Sequence, residues 1–138
     1  SAIDKLYSLL KDAGWPLPIR PRTVDFVRRE RQHWLRFQAD VVFALGFVHH
    51  MRLVELLPWA VVAEQLSGLT RKILVTEFKP GTGASGSKQG LTESVVNDYD
   101  LASLVAALDV HFDSVEVLGD FTAVGSQSPR TMIVCRRK

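Results

Sequence analysis

The run Asp40-Val41-Val42-Phe43-Ala44-Leu45-Gly46-Phe47-Val48 limits the available folds more than any other segment of the chain. It is continuously apolar and rich in β-branched and aromatic residues. Such a run reads as a strand buried on both faces, the habit of parallel sheets. A parallel sheet needs crossover connections, and the sequence supplies one. After a polar break at His49 and His50, Pro58 opens a helix at its first turn, where a missing N–H costs nothing. Trp59, Val62, Ala63 and Leu66 then share one stripe, and Gly68 is placed to end it. Lys72 to Phe78, with Ile73, Leu74 and Val75 at its centre, is a second buried strand. Strand, helix and strand at this spacing form a βαβ unit, whose crossover is expected to be right-handed.

The flanks extend the pattern. Ser1 to Ala13 sets Ile3, Leu6, Tyr7 and Leu10 at helical spacing, with Ser1 and Asp4 as a capping box and Gly14 as a stop. Trp15-Pro16-Leu17-Pro18 is a stiff connector. Ile19 to Phe26 alternates weakly as a short strand, confined by Pro21 to an edge or a strand start. Downstream, Asp98 or Asp100 caps a helix carrying Leu101, Leu104, Val105, Leu108 and Phe112. Ser114–Leu118 and Thr131–Cys135 are two further strands. Only a loop separates them, so they are expected to pair antiparallel at the end of an otherwise parallel sheet. The fold class is α/β, and 138 residues suit a single domain over 1–138.

Composition narrows the function classes. Apolar residues at 46% and charged residues at 23% are those of a globular chain, which excludes disorder and fibrous builds. No apolar run is long enough to span a membrane as a helix. A formal charge of +2 is too weak by itself to imply a nucleic-acid partner. Cys135 is the single cysteine, which excludes an internal disulfide and a cysteine-based zinc cage and suits a reducing, cytoplasmic compartment.

Several motifs compete for chemistry. Gly81-Thr82-Gly83-Ala84-Ser85-Gly86 spells GxGxxG after a strand. However, Pro80 precedes it, and Ser87-Lys88-Gln89-Gly90 continues a loop instead of opening the helix a dinucleotide site requires. A Walker loop fails as well, since Lys88 does not follow Gly86 directly. Arg20, Arg22, Arg28, Arg29, Arg31 and Arg36 interleave with Trp34 and Phe37. That pattern suits either phosphate contact with base stacking or a solvated face over core aromatics. His49 and His50 stand at the carboxyl end of the long apolar run, where open α/β sheets bind ligands. A histidine there is either a general base near neutral pH or a hydrogen-bonded structural group. In extended chain the two rings would point to opposite sides, so at most one faces a ligand. His33 and His111 are too far off in sequence to complete a metal site. Glu77 ends the second strand at the same sheet edge, as a ligand contact or a loop anchor. No GxSxG elbow is present, and Cys135 lies within a strand as a packing residue.

Taken together, Asp40 to His50, the helix opening at Pro58, and Lys72-Ile73-Leu74-Val75-Thr76-Glu77-Phe78 resemble the middle of a class I S-adenosylmethionine-dependent methyltransferase. The helix after Tyr99, Phe112-Asp113-Ser114-Val115-Glu116-Val117 and Arg130-Thr131-Met132-Ile133-Val134-Cys135 continue the resemblance, which runs from about Ile19 onward. It implies a Rossmann-like methyltransferase sheet with an antiparallel last strand, and S-adenosylmethionine as cofactor. By that resemblance, Asp25 and Phe26 match the pair that contacts adenine. Leu45, Gly46 and Phe47 match the segment lining the cofactor pocket. His49, with His50 beside it, matches a substrate-orienting or proton-accepting position. Glu77, Arg20 and Arg22 are candidates for binding an unidentified methyl acceptor.

The chain departs from the family at its start. The first strand with its glycine-rich turn and the acidic end of the second strand have no counterpart before Ser1. The chain therefore resembles the carboxyl-terminal part of the fold, and weak or absent cofactor binding by this chain alone is expected. An apolar edge beside Asp40–Val48 is then left open, which favours either self-association or a rearranged edge paired with the Ile19–Phe26 strand. The alternative is a non-catalytic binding or scaffold module that contacts nucleic acid or an acidic partner through its arginines.

Overall fold

The computed structural model describes residues 2–12, 14, 26, 35–80, 97–122 and 129–138. In chain order these form α1 (Ala2–Asp12), a 3-10 turn (Leu35–Phe37), β1 (Ala39–Ala44), α2 (Val48–Leu53), α3 (Trp59–Leu69), β2 (Thr70–Phe78), α4 (Leu101–Asp109), β3 (Ser114–Phe121) and β4 (Arg130–Arg136). The proposed strand over Ile19–Phe26 lies outside the described residues except for Phe26, which is not in a strand. Gly81–Gly90 and the arginine-rich stretch up to Trp34 also lie outside them.

The four strands form one mixed sheet in the order β1-β2-β4-β3. β1 and β2 are parallel, and β4 opposes both β2 and β3. Three strands thus share one direction and the last runs against them, consistent with a partial Rossmann-like sheet. The expected antiparallel pair is present, with β4 inserted between β2 and β3. Insertion explains why Ile133, Val134 and Cys135 are buried while β3, at the sheet margin, is largely exposed.

The core lies on one face of this sheet. Leu74 faces Cys135 and Thr76 faces Ile133 across the β2–β4 ladder, so these side chains share a side. Against them pack Trp59, Val62, Ala63 and Leu66 of α3 and Leu104 and Leu108 of α4, with Phe112 just beyond it. Asp100 caps α4 by accepting from the Ser103 N–H at 2.7 Å. No loop separates α3 from β2, although Gly68 was expected to stop the helix. Instead the buried Thr70 hydroxyl donates to the Leu66 carbonyl at 2.8 Å, satisfying a carbonyl at the helix end while its own backbone is already extended.

The long apolar run departs most from expectation. Its strand stops at Ala44, because Gly46 takes φ +65, a left-handed conformation outside the strand region. Val48 then begins α2, and Val48, His49, Met51 and Leu53 are buried on it. Nor is the strand buried on both faces. Among the described residues β1 is the other sheet margin, and Val41 and Phe43 are 43% and 68% exposed.

Truncating Leu74, fully buried between sheet and helices, to alanine is expected to cost about 2–5 kcal/mol by urea denaturation. Val110→Ala, at a residue 77% exposed, should stay within about 0.5 kcal/mol of the parent.

Candidate functional site

The carboxyl ends of β1 and β2 bring together several residues singled out from the sequence. The turn Leu45–Phe47 leaves β1 there. Its Gly46 N–H donates to Glu77 Oε1 at 2.7 Å. Arg130, the first residue of β4, donates to the same oxygen through Nη1. Glu77 is only 3% exposed. A carboxylate this deep survives because one backbone donor and one guanidinium compensate it. Of its two candidate roles, the geometry gives the loop anchor. Thr76 next to it donates to the Ala44 carbonyl at 3.0 Å and fixes the last residue of β1 against β2. Arg130 Nε is buried without a hydrogen-bond partner among the described residues, so the guanidinium retains an unspent donor.

His49 and His50 are not the extended, oppositely directed pair expected. Both lie in the first turn of α2, with ring centroids 4.2 Å apart and planes tilted by 36°. In a helix, neighbouring side chains diverge by far less than across a strand. His49 is 7% exposed and His50 is on the surface. Burial above all, and then the positive fields of His50, Lys79 and Arg130, lower the His49 pKa to about 4, while Glu77 pulls the other way. His49 is therefore a neutral imidazole at physiological pH. Proton removal near neutrality favours a base whose pKa lies close to the working pH, and His49 lies well below it.

An open apolar hollow of about 240 Å³ adjoins the turn, with Phe26, Val42, Ala44, Leu45, Phe47 and Leu66 among its walls. Phe26 and Phe47 meet edge to face at 4.6 Å and 86°, a favoured aromatic arrangement. The fold thus sets Phe26, Leu45 and Phe47 around one concavity, with Gly46 in the same turn but not in its wall, and His49 and Glu77 beside that turn. Asp25, Arg20 and Arg22 lie outside the described residues.

Arg130 is the residue that sequence reasoning passed over. It was legible only as the start of a closing strand. Pairing of Glu77 with Met132 in the β2–β4 ladder brings it to Glu77, and no local pattern announces that register. A second cluster holds the return to α4. Trp59 Nε1 donates to the Asp98 carbonyl at 2.8 Å, Arg52 Nε donates to the Asp98 carboxylate at 3.0 Å, and the Tyr99 hydroxyl donates to the Lys79 carbonyl at 2.6 Å. Among the described residues no three His, Cys, Asp or Glu side chains converge as metal ligands. The Cys135 thiol is pushed up to about 12 by burial and, less strongly, by Asp109, so it stays protonated and packs as an apolar group. Among the described residues, no helix is long and apolar enough to cross a membrane.

No protein-family model matches the chain, and no curated protein matches it in sequence. Among solved structures it is similar to a chain from the co-crystal structure of WbdD and the kinase inhibitor LY294002, with a TM-score of 0.59 and 14% identity. The match covers 97% of this chain and 28% of that one. This chain therefore spans little more than a quarter of the protein it superposes on. At that identity the likeness is one of fold.

The buried neutral His49 makes stability depend on acid. Its folded pKa of about 4 lies below the ordinary 6.5, so as pH falls through 6.5 the unfolded chain takes up a proton that the folded chain refuses. Stability is complete above about pH 6.5 and declines toward pH 4, on the order of 3 kcal/mol in all. Unfolding free energies across that range should show the decline in the parent and a shallower one in His49→Gln.

Proposed function

We propose that this chain is a portion of a methyltransferase-like α/β domain that transfers a methyl group from S-adenosylmethionine to an unidentified acceptor. The observation that carries the reading is the apolar hollow at the carboxyl end of β1, walled by Phe26 and the Leu45–Phe47 turn. Parallel α/β sheets bind ligands at that end of their strands. The WbdD likeness supports the reading at the level of fold. When bound, the cofactor supplies an activated methyl on a sulfonium.

The residues present fit part of that cofactor. Phe26, Leu45 and Phe47 offer an apolar wall suited to a purine face. Gly46 keeps the wall in place through its bond to Glu77. The ribose hydroxyls would need a free carboxylate, and Glu77 is already engaged by Gly46 and Arg130. The hollow therefore suits the adenine end better than the ribose, and weak binding follows. His49, neutral and buried, acts in this reading as a positioning residue for the turn or the acceptor. Proton removal then falls to solvent or to the acceptor itself.

Titrating the isotope-labelled chain with S-adenosylhomocysteine, followed by amide resonances, tests the proposal. Weak, saturable shifts are expected at Phe26 and Leu45–Phe47, reduced in Phe47→Ala. Absence of shifts there at millimolar ligand refutes the cofactor reading, and micromolar affinity by calorimetry refutes the partial fit. Polynucleotide binding with a steep salt dependence, in place of those shifts, would favour the scaffold alternative.

A further inference from the structure

Among the described residues, the cations at the carboxyl end of β2 outnumber the one carboxylate they adjoin. Lys79 follows Phe78, the last residue of β2, and the β2–β4 ladder ends with Phe78 opposite Thr131. The next step sets Lys79 across from Arg130, and strand alternation puts both on the Glu77 side of the sheet. Asp120 accepts from the Thr131 hydroxyl at 2.5 Å and so belongs to the other side. The Tyr99 hydroxyl fixes Lys79 by its carbonyl. Its half-buried side chain makes no ion pair among the described residues. Arg130 gives Nη1 to Glu77, its Nε is buried without a partner, and no hydrogen bond leaves its Nη2 among the described residues. Nε and Nη2 form the guanidinium edge whose two parallel N–H groups grip a pair of oxygens. The positive fields of His50, Lys79 and Arg130 all reach His49, which places them around one spot.

We propose that this end of the sheet binds an oxyanion, the carboxylate or phosphate group of a small ligand, between the free edge of Arg130 and the Lys79 ammonium. Assigning that group to the methyl acceptor rests on the methyltransferase reading. The anion then holds the acceptor beside the turn whose Leu45 and Phe47 wall the apolar hollow. A buried guanidinium donor without an acceptor carries a desolvation cost that a bound oxygen relieves. Two cations against one engaged carboxylate leave an excess of positive charge to attract it. The chain itself offers few competitors for the position. Residues 81–96 and 123–128, the segments after Lys79 and before Arg130, contain one carboxylate, Glu93, and also Lys88. Residues 15–34 contain Asp25 and Glu30 against Arg20, Arg22, Arg28, Arg29 and Arg31.

Side-chain resonances of the isotope-labelled chain, titrated with inorganic phosphate and separately with acetate at constant ionic strength, test the proposal. Saturable millimolar shifts are expected at the Arg130 Nε–H and at Lys79 Nζ with either anion, and not with chloride. Tighter phosphate binding assigns a phosphate group, and tighter acetate binding a carboxylate. Lys79→Gln should weaken the anion about fivefold while keeping the parental circular dichroism. Should that variant fail to fold, the parental Arg130 shifts decide alone. The proposal is overturned by no saturable Arg130 shift at tens of millimolar of either anion, by equal shifts with chloride, or by unchanged affinity in folded Lys79→Gln. Tighter binding in Glu93→Gln overturns it as well, since Glu93 is then the occupant. The titration contains no cofactor, so its result is separate from the S-adenosylhomocysteine shifts read at Phe26 and Leu45–Phe47.

Discussion

Glu77 carries a carboxylate into the interior at the end of β2, and much of the molecule is arranged around compensating it. The Gly46 N–H and the Arg130 guanidinium converge on the same oxygen. One comes from the turn after β1 and the other from the start of β4, so a single side chain ties three strands at one end of the sheet. Removing either partner of such a buried pair costs about 3–5 kcal/mol, because the other charge is stranded. That penalty holds the turn in one conformation. Gly46 is the residue that makes it geometrically available, since its left-handed backbone aims the N–H at the carboxylate.

The same anchor sets the character of the neighbouring chemistry. Glu77 Oε1 is committed to the turn through Gly46 and to β4 through Arg130. His49 is held neutral by burial and by surrounding positive groups. Among the described residues, the end of the sheet is therefore poor in available bases and rich in apolar surface. Such a surface is suited to positioning more than to proton transfer, in keeping with the proposed function. Among the described residues, Arg130 Nε is a buried polar group left without a partner at this end of the sheet.

Element types were largely legible in advance where periodicity was strong. α3 and α4 follow from their apolar stripes and from Pro58 and Asp100, and β2 from its β-branched centre. The antiparallel relation of β3 and β4 followed from a connection without a helix. The long apolar run was misread over its second half, since hydrophobicity alone does not separate a buried strand from a strand, a turn and a short buried helix. Gly46 was the available signal, because a glycine inside an apolar run marks a change of direction. The Val48 and Met51 spacing was the second.

The local order of apolar stripes, caps and breakers determined that this chain is α/β, with helices α3 and α4 laid on strands and a reversed final strand. That follows because burying a stripe and satisfying backbone groups are demands each segment makes within its own few residues. The tertiary structure alone decided that β4 lies inside the sheet and β1 at its margin, that Arg130 meets Glu77, and that Phe26 meets Phe47. Arg130 and Glu77 are 53 residues apart in the chain, and Phe26 and Phe47 are 21 apart, so both meetings depend on how distant segments pack. No pattern within one segment encodes a choice of partner that far away.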